Sequence, residues 1–128
     1  MMHRVLFIFA ALLLFTACHK TDPNKEAVAA AEQYAKLLLD GKFEEYADAH
    51  WQPERIPDSY RQQLIDNFKM FARQQQDEHR GIQEIRTANA KLQNDSAVNV
   101  FLVYCYGDST NEEIVVPMVK RKGKWLMK

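Results

Sequence analysis

The chain has 128 residues, of which 47% are hydrophobic and 27% charged, and its formal net charge is +0. This length holds one domain of ordinary size, and this composition is typical of a globular chain rather than a disordered one. The balance of charges excludes the strongly basic character expected of a nucleic-acid-binding domain.

The first 17 residues have the plan of a secretory signal. Arg4 gives a short positive end, an apolar run extends from Val5 to Phe15, and small residues precede Cys18. A helix needs roughly 20 apolar residues to cross the hydrocarbon core, so this run is too short to span comfortably. We expect residues 1–17 to be cleaved, which leaves 16 basic and 17 acidic residues in the mature chain.

The stretch "LFTAC", residues 14–18, resembles the lipobox of bacterial lipoproteins. Phe15 is too bulky for the corresponding pocket of an ordinary secretory cleavage site, whereas a bulky apolar residue is typical there in a lipobox, with leucine more usual than phenylalanine. The resemblance implies that Cys18 is acylated and anchors the chain in the envelope of a Gram-negative bacterium. His19 follows, and not the aspartate that retains some lipoproteins at the inner membrane, so the outer membrane is favoured, with the domain facing the periplasm or the cell surface. Plain secretion and a retained membrane anchor are the alternatives.

The other cysteine lies in the apolar run "VNVFLVYCY". Acylation of Cys18 would leave Cys105 without a disulfide partner in an otherwise oxidising compartment. We therefore expect Cys105 to be a small buried hydrophobic residue and not a reactive thiol.

Residues 18–24 are predicted to be a polar, lipidated tether, and residues 25–128 a single domain that opens with helices. Asp22 and Pro23 suit an N-cap and a first helical position, and Gly41 suits the residue after the end of the first helix. The apolar face of this helix is predicted at Val28, Ala31, Ala35 and Leu38.

Two further helices follow before the pattern changes. A short one carries Tyr46 and His50 and is closed by Pro53, and a longer one opens where Ser59 and Gln62 resemble a capping box. The apolar stripe of the longer helix is predicted at Tyr60, Leu64, Phe68 and Phe71, with Ile65 and Ala72 alongside.

From Ile82 onward the pattern is typical of strands separated by polar turns. Strands are predicted at 82–92, 97–106, 113–120 and 125–128. The second strand is apolar at every even position and mixed at the odd ones, so we expect it to be central and covered on much of both faces. Pro117 cannot donate to a ladder, which places the third strand at an edge or at a bulge there.

The order of elements, with "LLDGKFEEYADAH" between the first helices and "VPMVKRKGKWLMK" at the end, resembles the nuclear transport factor two-like superfamily. More narrowly, it is similar to small bacterial lipoproteins that carry this cystatin-like α+β domain. The resemblance implies three N-terminal helices packed on a bent four-stranded antiparallel sheet, which forms a cone with a pocket at its open end. Enzymes of the superfamily place carboxylates, tyrosine or histidine in that pocket, and other members are binding or dimerisation modules, so fold alone does not decide function.

Four residues near the expected cavity are weak candidates for acid/base catalysis: Tyr34, Tyr46, Asp48 and His50. The two tyrosines fall on apolar helical stripes, which favours a place in the core. Asp48 and His50 are two residues apart and so point in different directions on a helix. The prediction is that the chain is not an enzyme, with an isomerase or dehydratase type of pocket enzyme as the alternative.

A set of large apolar side chains could line a ligand pocket or simply form the core. They are Tyr34, Trp51, Phe68, Phe71, Tyr104, Met118 and Trp125. No metal site is predicted, because His19, His50 and His79 lack the spacing of a metal-binding motif. No cofactor and no nucleic acid is expected.

Two surfaces complete the predictions. The turn "VKRKGK" holds four cations, which reads as a solvated turn, with contact to acidic headgroups as the alternative. Phe101, Val103 and Val115 are the candidates for an exposed apolar sheet face that forms a homodimer. The sequence thus predicts a membrane-anchored, non-catalytic binding module for a small apolar ligand or a protein partner, with a structural, dimerising accessory lipoprotein as a further alternative.

Overall fold

The computed structural model describes residues 22–128, so the signal segment, Cys18 and His19 lie outside the described residues. Three helices come first: α1 (Pro23–Leu39), α2 (Phe43–Asp48) and α3 (Asp58–His79). Four strands follow: β1 (Ile82–Asn94), β2 (Ala97–Tyr106), β3 (Asn111–Arg121) and β4 (Lys124–Met127). The strands form one antiparallel sheet in the order β1-β2-β3-β4. The predicted α+β architecture is confirmed.

The predicted start of α1 is also confirmed. Asp22 is the N-cap, and its carboxylate accepts a hydrogen bond from the backbone N–H of Asn24 at 3.0 Å, while Pro23 occupies the first helical position. Past the end of the helix, Gly41 has a φ of 73°, a conformation in which a Cβ is unfavourable. Because α1 begins at Pro23, the last residues of the predicted tether belong to the helix.

Small residues bring α1 close to the sheet. The buried residues of the helix are Ala27, Ala31, Ala35 and Leu38. Ala27 is 0% exposed and Ala31 1% exposed, whereas Val28, predicted on the central stripe, is half-buried. The predicted face is therefore confirmed at Ala31, Ala35 and Leu38, and in the first turn Ala27 takes the place predicted for Val28. With only methyl groups between the two backbones, the helix contacts all four strands.

The long helix α3 is less buried than α1. Its one buried residue is Ile65, and Tyr60, predicted on the apolar stripe, is 44% exposed. The predicted capping box is wrong: α3 begins at Asp58 after Pro57, with no side-chain hydrogen bond at the cap, and Gln62 instead donates to Asp66 at 3.0 Å. Because the helix begins before Ser59, that residue lies inside the first turn and is not the N-cap that a capping box requires.

The alternating side chains of strand β2 show which face of the sheet is buried. Its even-numbered residues Val98, Val100, Leu102, Tyr104 and Tyr106 are buried and face the helices, and this side is called the inner face. Its odd-numbered residues are half-buried on the opposite side, the outer face. Strand β2 is central, as predicted, but its outer face is less covered than predicted.

Pro117 marks the place where the ladder between β3 and β4 ends. Strand β4 pairs with β3 only from Met118 to Arg121, and the Lys128 N–H donates to the Pro117 carbonyl at 2.8 Å. Strand β3 lies between β2 and β4 and has no register shift at Pro117, so it is an edge only before Pro117, where β4 no longer reaches it. Because Pro117 lies opposite Lys128, its missing N–H removes one bond at the last position of this ladder. Three register shifts in β1 mark the irregularities that bend a sheet of this kind.

The close contact of α1 with the sheet can be tested by overpacking. Ala31→Leu should lower the free energy of unfolding by about 1–3 kcal/mol, because three further carbon atoms must enter a closed contact. Ala29 is exposed on the same helix, so Ala29→Leu is the matched control and should change stability by less than about 0.5 kcal/mol. Urea unfolding followed by circular dichroism measures both. Equal effects of the two substitutions would contradict the packing.

Candidate functional site

Three aromatic side chains predicted as site residues meet between α2 and α3. Tyr46 lies in α2, whereas His50 follows the C-cap Ala49, so the prediction that the short helix carries His50 is wrong. The rings of Tyr46 and His50 both contact Phe68 of α3. The ring centroids of Tyr46 and Phe68 are 4.9 Å apart at 83°, and those of His50 and Phe68 are 5.2 Å apart at 20°. Together with Tyr104 on the inner face of the sheet, these residues form what is called here the aromatic cluster.

The chain after α2 is fixed to the last strand. The Met127 N–H donates to the Ala49 carbonyl at 2.9 Å, and the Trp51 N–H donates to the Met127 carbonyl at 2.6 Å. His50 thereby forms a short parallel bridge with Met127. These backbone bonds hold His50 beside the end of β4.

The aromatic cluster is uncharged at neutral pH. His50 Nδ1 lies 2.9 Å from the Tyr46 carbonyl, which can only accept, so Nδ1 carries the proton. Burial lowers the pKa of His50 below its ordinary value. Burial raises the pKa of Tyr46 and, more strongly, that of Tyr104, to which the neighbouring Tyr46 hydroxyl also contributes. A neutral imidazole beside two protonated phenols can exchange hydrogen bonds with a ligand but offers it no charge.

Asp48 lies apart from the cluster, on the surface. Its carboxylate receives two hydrogen bonds from the Arg61 guanidinium, at 2.8 and 2.9 Å, and these bonds lower the pKa of Asp48. The structure therefore does not bring Asp48 together with His50. The predicted separation is thus confirmed, but its cause is that α2 ends at Asp48 and His50 continues into the bridge with Met127.

Tyr34 and Trp125 connect α1 to β4. The Tyr34 hydroxyl donates to the Trp125 carbonyl at 2.6 Å, and the buried Trp125 indole N–H donates to Glu26 at 2.9 Å. Burial raises the pKa of Tyr34. Both side chains thus hold the helix on the sheet.

The remaining predicted pocket residues are divided between core and surface. Met118 is 1% exposed in the core, and Phe71 is half-buried against that core. Trp51 is half-buried, and the Arg121 guanidinium lies 4.7 Å from its ring centroid. The structure thus gathers Tyr46, His50, Phe68 and Tyr104 in one place and leaves the other predicted residues elsewhere.

Four depressions on the surface have volumes of 170, 300, 350 and 440 Å³. Among these four, the largest is lined by Tyr34 and by neighbouring residues of α1 and of the turn that follows it. None of the four is lined by another of the seven predicted pocket residues. The pocket inside the cone stays a prediction.

A second ionisable cluster, missed from the sequence, joins the end of α3 to the β2–β3 turn. His79 Nδ1 lies 2.9 Å from the Asp108 carboxylate, and the His79 ring is stacked on Tyr106 with centroids 4.5 Å apart. The Tyr106 hydroxyl donates to Glu112 at 2.8 Å. Hydrogen bonds hold the pKa of Asp108 at about 2, and the larger contribution comes from Thr110 and the smaller from His79. The pKa of Tyr106 is raised to about 12, mainly by burial and also by the hydrogen bond to Glu112.

This second cluster gave no signal in the sequence, where His79 reads as a solvated helix end. His79 and Asp108 are 29 residues apart, and only the return of β2 to the end of α3 brings them together. The backbone supports the same junction, since the Asp108 N–H donates to the His79 carbonyl at 3.0 Å.

Within residues 22–128, no group of three or more histidine, cysteine, aspartate or glutamate side chains is arranged to hold a metal ion. No helix in the described part of the chain combines the length and the apolar character needed to cross a bilayer.

The architecture is similar to that of a solved structure. The crystal structure of a proposed NTF2-like transpeptidase from Campylobacter jejuni matches 78% of this chain and 94% of that protein, with a TM-score of 0.64 and 14% sequence identity. The fold is NTF2-like. At this identity the likeness extends to the fold alone. No protein-family model and no curated protein matches the chain.

Within this NTF2-like fold, His50 should give stability a dependence on pH. Its native pKa is lowered, so between about pH 6.5 and that lower pKa the unfolded chain binds the proton more readily than the folded one. The contribution is complete above about pH 6.5 and is lost as the pH falls through this range.

His50→Phe keeps a ring against Phe68 and cannot be protonated, so it should remove this part of the pH dependence. Urea unfolding at about pH 7.5 and about pH 5.5 measures it. His79→Asn is the control and should leave the His50 contribution in place. An unchanged decline in the His50 variant would show that another group causes it.

Proposed function

We propose that this chain is a lipid-anchored, non-catalytic binding module of the bacterial cell envelope. Acylated Cys18 attaches it to the outer membrane and not to the inner one, and the folded domain faces the periplasm or the cell surface. The partner is a second copy of the chain, bound through the outer face of the sheet. The support for the anchor is the leader and lipobox of the sequence.

The absence of catalysis is proposed because each candidate group has a structural partner. Tyr34 is bound to a backbone carbonyl and Asp48 to Arg61. The Tyr46 hydroxyl is hydrogen-bonded to Tyr104, and the protonated nitrogen of His50 to a backbone carbonyl. An isomerase or dehydratase would need an acid beside the tyrosine or the histidine. Glu112 of β3 lies opposite Tyr104 of β2 in the register of the sheet. Its carboxylate, however, accepts a hydrogen bond from the Tyr106 hydroxyl.

A protein partner is favoured over a small ligand because the outer face of the sheet exposes apolar side chains. Phe101 and Val115 are opposite each other on the outer face, and Val103 is the next outward residue of β2. Val115 is 48% exposed, and the two β2 residues are half-buried. This apolar strip is the observation that carries the proposed function.

The charges beside the strip favour a second copy as the partner. Arg86 of β1 and Glu113 of β3 share a row with Val103, one on each side of it. A two-fold axis that lies between two facing sheets, parallel to the strands, places β1 of one copy over β3 of the other. Arg86 of each copy then faces Glu113 of its partner, Phe101 and Val103 of the apolar strip lie on the axis, and Val115 lies beside the axis over Asn89 of the partner. Such a self-complementary surface is what a symmetric dimer requires.

The other rows are compatible with the same pairing. Lys91 shares its row with Asn99 and Pro117, and Glu84 shares its row with Cys105 and Asn111. The strand-parallel axis therefore places Lys91 over Pro117 and Glu84 over Asn111. None of these facing pairs combines like charges, so the pairing meets no electrostatic penalty in these rows.

Val115→Glu should convert the dimer to a monomer, because it buries a charge in the apolar strip. Sedimentation equilibrium of the soluble Cys18→Ser chain measures the change. Met70 is 53% exposed on α3, so Met70→Glu is a control of matched exposure and chemistry and should leave the dimer intact.

Arg86→Glu should weaken the dimer, and adding Glu113→Arg should restore it, because the two charges change places. A monomeric parent chain, or a double variant weaker than both single variants, would contradict pairing through this face.

The anchor itself is tested at Cys18. Cys18→Ser should abolish acylation and move the chain from the membrane fraction to the soluble fraction, as measured by fractionation and by mass spectrometry of the N-terminal peptide. Cys105→Ser, which changes the other cysteine, is the control and should keep both the lipid and the membrane location. A Cys18→Ser chain that stays in the membrane fraction would refute the lipid anchor.

A further inference from the structure

We propose that the hairpin turn between β3 and β4 rests on anionic lipid headgroups of the membrane that carries the anchor. The turn, residues 120–124, is called the cationic hairpin. This inference rests on the proposed lipid anchor at Cys18. It adds a second contact with the same membrane, made by the folded domain.

The cationic hairpin lies beside the first turn of α1, where the tether enters the domain. Glu26, in that first turn, accepts hydrogen bonds from Trp125 Nε1 at 2.9 Å and from Lys120 Nζ at 3.4 Å. Lys120 and Trp125 are paired residues at the base of the hairpin. Two contacts to one carboxylate therefore hold the hairpin at the start of α1.

The tether is too short to carry the anchor away from this end. Asp22 is the N-cap of α1 and lies four positions after Cys18 in the chain. A fully extended chain spans at most about 3.6 Å per residue, so Cys18 lies within about 14 Å of Asp22. Glu26 is only about 6 Å further along the helix axis, whereas the far end of α1 is about 25 Å away. The membrane surface must therefore be near the hairpin.

Positive charge predominates in the segments that meet here, namely the first turn of α1 with its N-cap, the β1–β2 turn and the cationic hairpin. The β1–β2 turn belongs to this end because the Lys120 N–H donates to the Ser96 carbonyl at 2.8 Å. In these three segments the cations are Lys25, Lys120, Arg121, Lys122 and Lys124, and the acids are Asp22, Glu26 and Asp95. Lys120 is paired with Glu26, while Arg121, Lys122 and Lys124 are exposed.

The backbone of the turn presents these charges outward. Lys122 and Gly123 have φ values of 53° and 77°, which is the pattern of a tight two-residue hairpin turn with positive φ at both central residues. The tip is thus a rigid extension of the sheet rather than a loose loop. Beside it, the Arg121 guanidinium covers the half-buried Trp51 ring, a type of side chain that suits a boundary between water and lipid.

Anchoring makes such a weak contact effective. Anionic headgroups attract lysine and arginine within about one Debye length, roughly 8–10 Å at physiological salt. A tethered domain meets the surface at a high effective concentration, so a few cations are enough to favour one orientation. We therefore expect the hairpin end of the domain to face the bilayer, in a salt-sensitive manner.

The test uses the purified, lipidated chain in vesicles of phosphatidylcholine, either alone or mixed with phosphatidylglycerol, each with a trace of dansyl-labelled headgroups. The two tryptophans of the chain, Trp51 and Trp125, both lie at the hairpin end and serve as donors for energy transfer. Transfer should be about two-fold greater in the anionic vesicles, and high salt should return it to the value in neutral vesicles.

A charge-reversal variant provides the second measurement. Lys122→Glu combined with Lys124→Glu should abolish the difference between the two kinds of vesicle. Lys42 and Lys69 are exposed and line a depression just beyond the far end of α1, so Lys42→Glu combined with Lys69→Glu is the matched control and should keep the difference. Circular dichroism checks that both double variants are folded. The effect of salt on energy transfer is measured on the parent chain, so that part of the test does not depend on the folding of a variant.

The outcomes separate this proposal from the anchor on which it rests. Equal transfer in the two kinds of vesicle, or a difference that survives in the Lys122 and Lys124 variant, would overturn the hairpin contact and leave the anchor standing. The same result would be found if the cations bind an acidic protein instead of lipid. A chain that carries no lipid on Cys18 would overturn both proposals.

Discussion

The closeness of α1 to the sheet is the constraint on which the rest of the domain depends. Ala27, Ala31 and Ala35 place only methyl groups between the helix and the buried side chains of β2. Interiors of proteins are packed as densely as organic crystals, so such a contact leaves little room between the two layers. The inner face of the sheet is thus largely used for folding, and the apolar surface left for a partner lies on the outer face.

Periodic patterns explain why so much of the fold could be predicted from the sequence. The strict alternation of β2 reflects one buried face, and the Asp22–Pro23 pair carries a local cap that does not depend on the rest of the molecule. Helix and strand order, and hence the α+β class, follow from such local signals. The capping box expected at Ser59 shows the limit, because the helix begins one residue earlier, at Asp58.

The candidate site was less predictable because its contacts join residues distant in sequence. Tyr46 and His50 are close in sequence, but their meeting with Phe68 depends on how α3 packs. The bond from Trp125 to Glu26 spans 99 residues, and that between His79 and Asp108 spans 29. Spacing within one element carries no information on such pairs. The leader, by contrast, is read from the sequence alone, since it lies outside residues 22–128.

The two proposed membrane contacts differ greatly in strength and therefore in role. Acyl chains contribute about 0.8 kcal/mol for each buried methylene, so they alone keep the chain at the bilayer. Cations near an anionic surface contribute about 1 kcal/mol each at most, and salt weakens them. The hairpin can therefore orient the domain without deciding whether it is attached.

The meander order of the sheet gives the domain a polarity. The β1–β2 and β3–β4 turns share one end with the start of α1, and the β2–β3 turn lies at the other end with the close of α3. A two-fold axis parallel to the strands preserves that polarity, so both copies of the proposed pair would stand upright with their acyl groups in a single leaflet. An axis across the strands would instead direct the two anchors oppositely, as a bridge between two bilayers. The row of Arg86, Val103 and Glu113 thus bears on membrane topology as well as on pairing.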